Sequence, residues 1–238
     1  MINEFDKVVL ELVNISSQRD QLIVQIASFV ANDNLFKGVF LVTLLWLVWM
    51  KGAEKLSDKN FFMIKAIAGS FVAILIGRVA QNYLPMRLRP VHNPDINFIV
   101  PYGLPENVLG GFSSFPSDHA ILFFALSTAI WTRNRSAGIL AFAWSLVVIS
   151  FPRIYLGFHY PSDIIVGALI GIGIMLLSLR APLPSAAVNS LEWVQNRHAG
   201  WLYAGIFFFS LQMATLFESL RRLGSAGKVL LALIGAPV

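Results

Sequence analysis

Six long apolar segments dominate this sequence, and they restrict its fold more than any other feature. They lie at 35–50, 61–84, 118–132, 136–152, 161–179 and 199–217, and each approaches the roughly 20 apolar residues with which an α-helix crosses a bilayer. Only 13% of the residues are charged, whereas soluble domains contain about 25%. A soluble protein so poor in charge would expose large adhesive patches. The sequence therefore predicts an all-α integral membrane bundle of about six transmembrane helices.

Both ends of the chain differ from these segments. Residues 1–34 carry apolar residues at helical spacing on either side of a polar centre at 14–20. Because a polar centre is costly inside hydrocarbon, this pattern favours an amphipathic helix pair at the membrane surface, and a re-entrant segment or a true span is the alternative. We therefore predict three parts: an amphipathic segment at 1–34, a transmembrane domain at 35–217 and a C-terminal tail at 218–238.

The net charge of +5 does not indicate a nucleic-acid partner. The basic residues stand between the apolar segments and form no continuous polar face. Charges in short membrane loops and phosphate-binding side chains account for them. The chain has no cysteine, which excludes disulfides, thiolate nucleophiles and cysteine-ligated metals. The partners that this composition predicts are membrane lipids.

Polar residues that a bilayer does not tolerate are concentrated at one long loop, 85–116, and at two later junctions. Long irregular loops in compact domains are usually functional. From the end of this loop the chain crosses the membrane in one predicted helix and returns in the next, so 117–119 and 153–163 lie at the same membrane face. The residues that converge there are Arg89, Ser117, Asp118, His119, Arg153, His159 and Asp163.

This set of side chains is suited to phosphoryl transfer. Two guanidinium groups, from Arg89 and Arg153, can hold phosphate oxygens bidentately. Backbone N–H groups at the helix N-terminus around Ser117 add further donors. One histidine can attack phosphorus while a second protonates the leaving oxygen. The next helix begins at a proline, so Asp163 falls in its first turn, where its carboxylate can accept a hydrogen bond from the His159 ring.

Three short motifs resemble those of the type 2 phosphatidic acid phosphatase (PAP2) family. The first ends in Arg89-Pro90, the second is Phe-Pro-Ser-Asp-His ending at His119, and the third has Arg153, His159 and Asp163 at the family's spacing. The Phe-Pro-Ser-Asp-His variant and the amphipathic N-terminal segment are similar to those of bacterial undecaprenyl-diphosphatases of the bacitracin-resistance type. The resemblance extends over residues 61–180.

The resemblance implies a role for each matching residue. His159 would be the nucleophile that becomes phosphohistidine, Asp163 its orienting partner and His119 the general acid. The residues assigned to phosphate binding are Arg89, Arg153, Ser117 and Asp118. Neither a metal ion nor another cofactor is implied.

Three positions depart from the family pattern, and one of them is Pro152, where the third motif has a serine before the arginine. The lysine of the first motif falls at Asn82, so Arg87 or Arg78 is a candidate for the missing positive charge. Asp118 occupies the position of a glycine. An anionic side chain beside a phosphate is repelled, so it has to point away or pair with an arginine.

The resemblance also implies a function. It indicates a hydrolase that converts undecaprenyl diphosphate to undecaprenyl phosphate, embedded in a bacterial inner membrane with its site on the extracytoplasmic face. Alternative enzymes are a phosphatidate, phosphatidylglycerophosphate or lipid A phosphatase and a lipid phosphotransferase of the same family. Two alternatives outside the enzymes are an anion transporter and an inactive family member.

Overall fold

The computed structural model describes residues 3–17, 21–51, 55–101, 103–105 and 108–218, and all regular structure within them is helical, as predicted. Pro90–His92 forms a short 3-10 turn in the long loop. The helices are α1 (Glu4–Ser17), α2 (Gln21–Asn32), α3 (a π-helical turn, Leu35–Val39, continued by Phe40–Met50), α4 (Leu56–Tyr83), α5 (Asp118–Arg133), α6 (Arg135–Tyr155, π-helical at Ser145–Ser150), α7 (Pro161–Arg180) and α8 (Ser185–Ala214, kinked at His198, whose backbone is not helical).

Apolar helices make this chain a multi-pass membrane protein. Within the described residues, α4, α6 and α7 are each long and apolar enough to cross a bilayer. Helices α2 and α3, bent by 67° to each other, meet the same criteria only together, as one broken span or a re-entrant loop. The predicted segments at 118–132 and 199–217 are also helical, as α5 and α8. That these two cross the membrane, and that the total is six, stay predictions.

Helix α5 forms the centre of the bundle. It packs against α3, α4, α6 and α7, and every residue from 120 to 130 is buried. Two polar residues lie within this apolar core. Ser127 and Thr128 donate hydrogen bonds to the carbonyl oxygens of Phe123 and Phe124, at 2.8 and 2.7 Å. These bonds offset the desolvation of the two hydroxyls.

Small residues bring α7 close to α5. A Cβ at Gly171 would collide with the backbone carbonyl of Ile121, and one at Gly167 would lie 2.7 Å from the carbonyl oxygen of Ser117. Both glycines therefore permit the close helix approach that small residues allow in lipid. At Gly173, by contrast, no described atom outside its own helix backbone lies within 4 Å of an added Cβ. The close approach joins the two helices whose first turns carry the candidate site.

We predict that Gly171→Ala destabilises the protein and Gly173→Ala does not. Both changes add one methyl group to the same helix, but only the first must displace the backbone of α5. Overpacking of this kind costs about 1–3 kcal/mol, whereas alanine in an open helical position is neutral or stabilising. Thermal unfolding of the two variants in one detergent tests this, and equal melting temperatures would contradict it.

The predicted N-terminal amphipathic segment is a pair of helices. Helix α1 exposes Phe5, Val8 and Leu12 on one side and buries Asp6 and Leu10 on the other. Both α1 and α2 contact the C-terminal end of α6. Apart from Glu218, the predicted tail at 218–238 lies outside the described residues. The division of the chain into three parts remains a prediction. Helices α1 and α2 cover the end of the bundle where the polar residues lie.

Candidate active site

Backbone hydrogen bonds join the three segments that carry the motifs. The N–H of Ser117, at the start of α5, donates to the carbonyl of Asp163 in α7 at 3.3 Å. In the long loop, the N–H of Val91 donates to the carbonyl of Gly157 at 3.0 Å. The two helix starts and the loop therefore form one end of the bundle. Most of the polar residues that the sequence assigns to one membrane face meet there.

The ring of His159 is almost fully buried, with 1% of the residue exposed. Its Nδ1 lies 2.9 Å from the carbonyl oxygen of Ser114. Because a carbonyl only accepts, Nδ1 carries the proton and the lone pair is on Nε2. Burial lowers the pKa of His159, and Arg89 and Arg153 lower it further against the opposing effect of Asp163. The ring is therefore neutral and nucleophilic near neutral pH.

The sequence predicts a direct hydrogen bond from the His159 ring to Asp163. In the structure the two groups are too far apart for one. Oδ2 of Asp163 lies 3.7 Å from Nδ1 and accepts hydrogen bonds from the hydroxyl of Ser114 and from the N–H of Tyr160. Ser114 therefore lies between the two residues, with its hydroxyl on the carboxylate and its carbonyl on the imidazole. This serine was not predicted from the sequence, because its local pattern does not distinguish it from a solvated loop residue.

Arg89 and Arg153 are both buried, and neither has a carboxylate within 4 Å among the described residues. Arg89 Nη1 donates to the carbonyl of Phe158 at 2.7 Å and lies 3.4 Å from Nε2 of His159. Arg153 Nη2 donates to the carbonyl of Ala31 at 3.0 Å. The Nε of each arginine is buried and has no hydrogen-bond partner among the described residues. Buried charge of one sign is costly, so this end of the bundle is suited to an anion.

Asp118 pairs with an arginine, one of the two arrangements that the sequence analysis allowed. Its Oδ2 lies 2.5 Å from Nη2 of Arg78, and its Oδ1 accepts from Nδ1 of His119 at 2.8 Å. The carboxylate is turned toward these cations and would repel a phosphate. Asp118 therefore holds the ring of His119 by its Nδ1, and its predicted part in phosphate binding stays a prediction.

Three further predicted site residues have contacts or exposure that the structure describes. Ser117 is the N-cap of α5, and its Oγ accepts from the N–H of Ala120 at 3.4 Å. Asn82 is exposed near the end of α4. Arg87 lies between Asp163 and the Asp6 carboxylate of α1, at 2.5 and 2.7 Å. As positioned, neither Arg87 nor Asn82 replaces the family's lysine at a phosphate.

Lys37 is a second residue that the sequence analysis missed. It is half-buried in the π-helical turn that opens α3, and its ammonium interacts electrostatically with Arg153 and Asp118. It adds positive charge from within the helical bundle. No group of three His, Asp or Glu side chains within the described ranges is placed to hold a metal ion.

A scan against family models matches residues 68–185 to the PAP2 superfamily. The chain is 29% identical to the "Bacitracin transport permease protein BcrC" of Bacillus licheniformis, over 56% of this chain and 60% of that protein. It is 28% identical to the "Undecaprenyl-diphosphatase BcrC" of Bacillus subtilis, over 65% and 76%. It is 35% identical to the "Lipid A 4'-phosphatase" of Bacteroides thetaiotaomicron, over 57% and 64%.

Among solved structures, the chain is similar to the crystal structure of a transmembrane PAP2 type phosphatidylglycerolphosphate phosphatase from Bacillus subtilis. The two sequences are 15% identical, and the TM-score is 0.46 over 74% of this chain and 85% of that one.

Proposed function

Since this chain belongs to the PAP2 superfamily, we propose that it hydrolyses a lipid-linked phosphate or diphosphate through a phosphohistidine intermediate. Undecaprenyl diphosphate is the substrate that we propose first, because of the similarity to an undecaprenyl-diphosphatase. One observation carries the proposal. A buried histidine whose Nε2 carries the lone pair lies 3.4 Å from a buried guanidinium that has no carboxylate partner among the described residues.

The first step forms a bond from Nε2 of His159 to phosphorus. The bond from phosphorus to the leaving oxygen of the lipid breaks, and His119 gives that oxygen the proton on its Nε2. The ring enters this step as imidazolium, with Nδ1 donating to Asp118 and the anionic substrate as a second counter-charge. Phosphorylation makes the His159 ring cationic, and the Asp163 carboxylate, 3.7 Å from Nδ1, offsets this charge. Arg89 and Arg153 stabilise the negative charge on the phosphoryl oxygens.

The second step releases the phosphate. A water molecule gives a proton to His119, which is now neutral, and attacks phosphorus as the bond to Nε2 breaks. Inorganic phosphate leaves, and both rings return to their starting protonation states. Positive charge in both steps comes from the two arginines, so we expect hydrolysis to continue in the presence of a chelator.

We propose that the site faces the extracytoplasmic side of a bacterial inner membrane. The basic residues at the other ends of the helices support this orientation: Arg133 ends α5, Arg135 begins α6 and Arg180 ends α7. Short loops rich in arginine and lysine are retained in the cytoplasm. The exposed apolar residues of α1 would lie in the interface, beside the substrate's tail.

A phosphate-release panel with the purified full chain in detergent tests the proposed function. The substrates are undecaprenyl diphosphate, phosphatidate, phosphatidylglycerophosphate and lipid A, each with a chelator present. We expect undecaprenyl diphosphate to give the highest kcat/KM. If lipid A instead gives the highest release, that result would favour a lipid A phosphatase activity, for which one of the relatives is named. Binding of undecaprenyl diphosphate without release of phosphate would favour a transporter. Transfer of the phosphoryl group to an added lipid alcohol would favour a phosphotransferase.

We also predict that hydrolysis persists below pH 6.5. Because the pKa of His159 in the folded protein is lowered from 6.5 by burial, the nucleophile stays deprotonated until the pH falls below that value. Activity is then lost as the pH drops through the lowered pKa. A profile of kcat/KM from about pH 5 to about pH 8 measures this limb.

The Arg89→Gln variant provides the control for the pH profile. Removal of Arg89 takes away one of the charges that lower the pKa of His159, so the acid limb of this weakened enzyme should move to higher pH. An acid limb at or above pH 6.5 in the unaltered protein would contradict the assignment of a buried, neutral nucleophile.

A further inference from the structure

Helix α1 presents a buried carboxylate to the candidate site. Its outer side, with Phe5, Val8 and Leu12, is apolar and exposed, as suits a helix at a membrane surface. On the inner side, Asp6 has no exposed surface. An acidic residue is seldom fully buried unless it is paired, so the contacts of Asp6 indicate what it does.

Asp6 binds two residues that belong to the site. Its Oδ1 accepts from the backbone N–H of Ser162, at 2.9 Å, and its Oδ2 from the hydroxyl of Ser162, at 2.6 Å. The same Oδ2 accepts from Nη2 of Arg87 at 2.7 Å. The N–H of Ser162 is one of the groups at the start of α7 that have no partner within their own helix. Asp6 therefore fixes the first turn of the helix that carries Asp163.

Arg87 connects Asp6 to the nucleophile. Its two Nη groups are divided between Asp6 and Asp163, and its guanidinium lies 4.0 Å from the ring centre of Tyr160. Asp163 in turn holds the hydroxyl of Ser114, whose carbonyl holds Nδ1 of His159. These bonds form a continuous path from α1 to the reacting ring.

We propose that Asp6 is a positioning residue for the phosphorylation of His159, an inference that rests on the proposed function. Two buried carboxylates share one guanidinium, so Asp6 takes up part of the charge of Arg87. Without it, that charge falls on Asp163 alone. Asp163 then offsets less of the positive charge that develops on the His159 ring as the bond to phosphorus forms.

The test compares Asp6→Asn with Glu4→Gln in the full chain. Both changes neutralise a carboxylate in the first turn of α1, but Glu4 is exposed and contacts Lys7, at 2.8 Å, away from the site. We expect Asp6→Asn to lower kcat about tenfold, with KM within about twofold of the unaltered protein, as a loss confined to the transition state requires. Glu4→Gln should change neither constant.

Two further measurements separate positioning from folding. The first is the melting temperature of each variant, which reports the folded fraction. The second is the kcat of Asp6→Glu, which shows whether a carboxylate at this position restores activity. We expect Asp6→Glu to recover part of the lost kcat per folded molecule, because it keeps the carboxylate, and to lower the melting temperature, because the longer side chain overpacks a site with no exposed surface. Ser162→Ala, which keeps the pair between Asp6 and Arg87 but loses one hydroxyl, should lower kcat by less than Asp6→Asn does.

The outcomes are distinguishable. The inference is overturned if Asp6→Asn keeps the kcat of Glu4→Gln, if it raises KM alone, or if its kcat falls only in proportion to the folded fraction. If the unaltered protein and Glu4→Gln both release no phosphate from any lipid in the panel, the proposed function fails instead.

Discussion

Replacement of His159 by alanine is expected to lower phosphate release by about 10³-fold or more, since it removes the atom that bonds to phosphorus. The loss should appear in kcat with every lipid that the unaltered protein hydrolyses. The His159 ring is buried and lies 3.4 Å from Arg89. His119, the other histidine with a predicted catalytic role, is held by Asp118, so we do not expect it to replace the lost nucleophile.

A matched control uses the exposed His198 of α8. The change His198→Ala removes the same ring far from the motifs, so we expect it to leave kcat unchanged. Quenching the reaction of ³²P-labelled substrate with alkali, in which phosphohistidine survives, should leave label on the unaltered protein and on His198→Ala. Label or normal turnover in His159→Ala would show that another residue is the nucleophile.

The second large effect is expected for His119→Gln. Loss of a general acid costs about 10²–10⁴-fold when the leaving group is a poor one, such as the phosphate or alcohol oxygen of a lipid. The cost should nearly vanish for p-nitrophenyl phosphate, because its leaving group needs no proton. Asp118→Asn should also slow the lipid substrates more than p-nitrophenyl phosphate, but by a smaller factor. It keeps the ring of His119 and removes only the charge beside Nδ1.

The ratio of the two activities is the measurement that decides this role. Both substrates are assayed with the same preparation, so differences in folded fraction cancel. Arg153→Gln is the comparison variant, because a residue that holds phosphoryl oxygens should matter for both substrates alike. An equal loss on both substrates in His119→Gln would mean that this histidine binds phosphate and does not protonate the leaving group.

Much of this protein was determined by the sequence alone. Apolar segment lengths predicted helical regions that the structure contains within a few residues, because the bilayer requires a minimum run of apolar side chains and satisfied backbone groups. The motif spacing predicted that His119, Arg153 and His159 would gather at one end of the bundle, because antiparallel helices of similar length return the chain to the same face.

Only the tertiary structure decided how the polar groups pair. Ser114 came to lie between Asp163 and His159, Asp118 turned to Arg78 and His119, and Asp6 reached Arg87 across 81 positions of sequence. Periodicity describes neighbours along a helix, whereas a buried charge takes whichever partner the packing brings within about 3 Å. Such partners come from distant segments, so their identity depends on the packed helices and not on any local pattern.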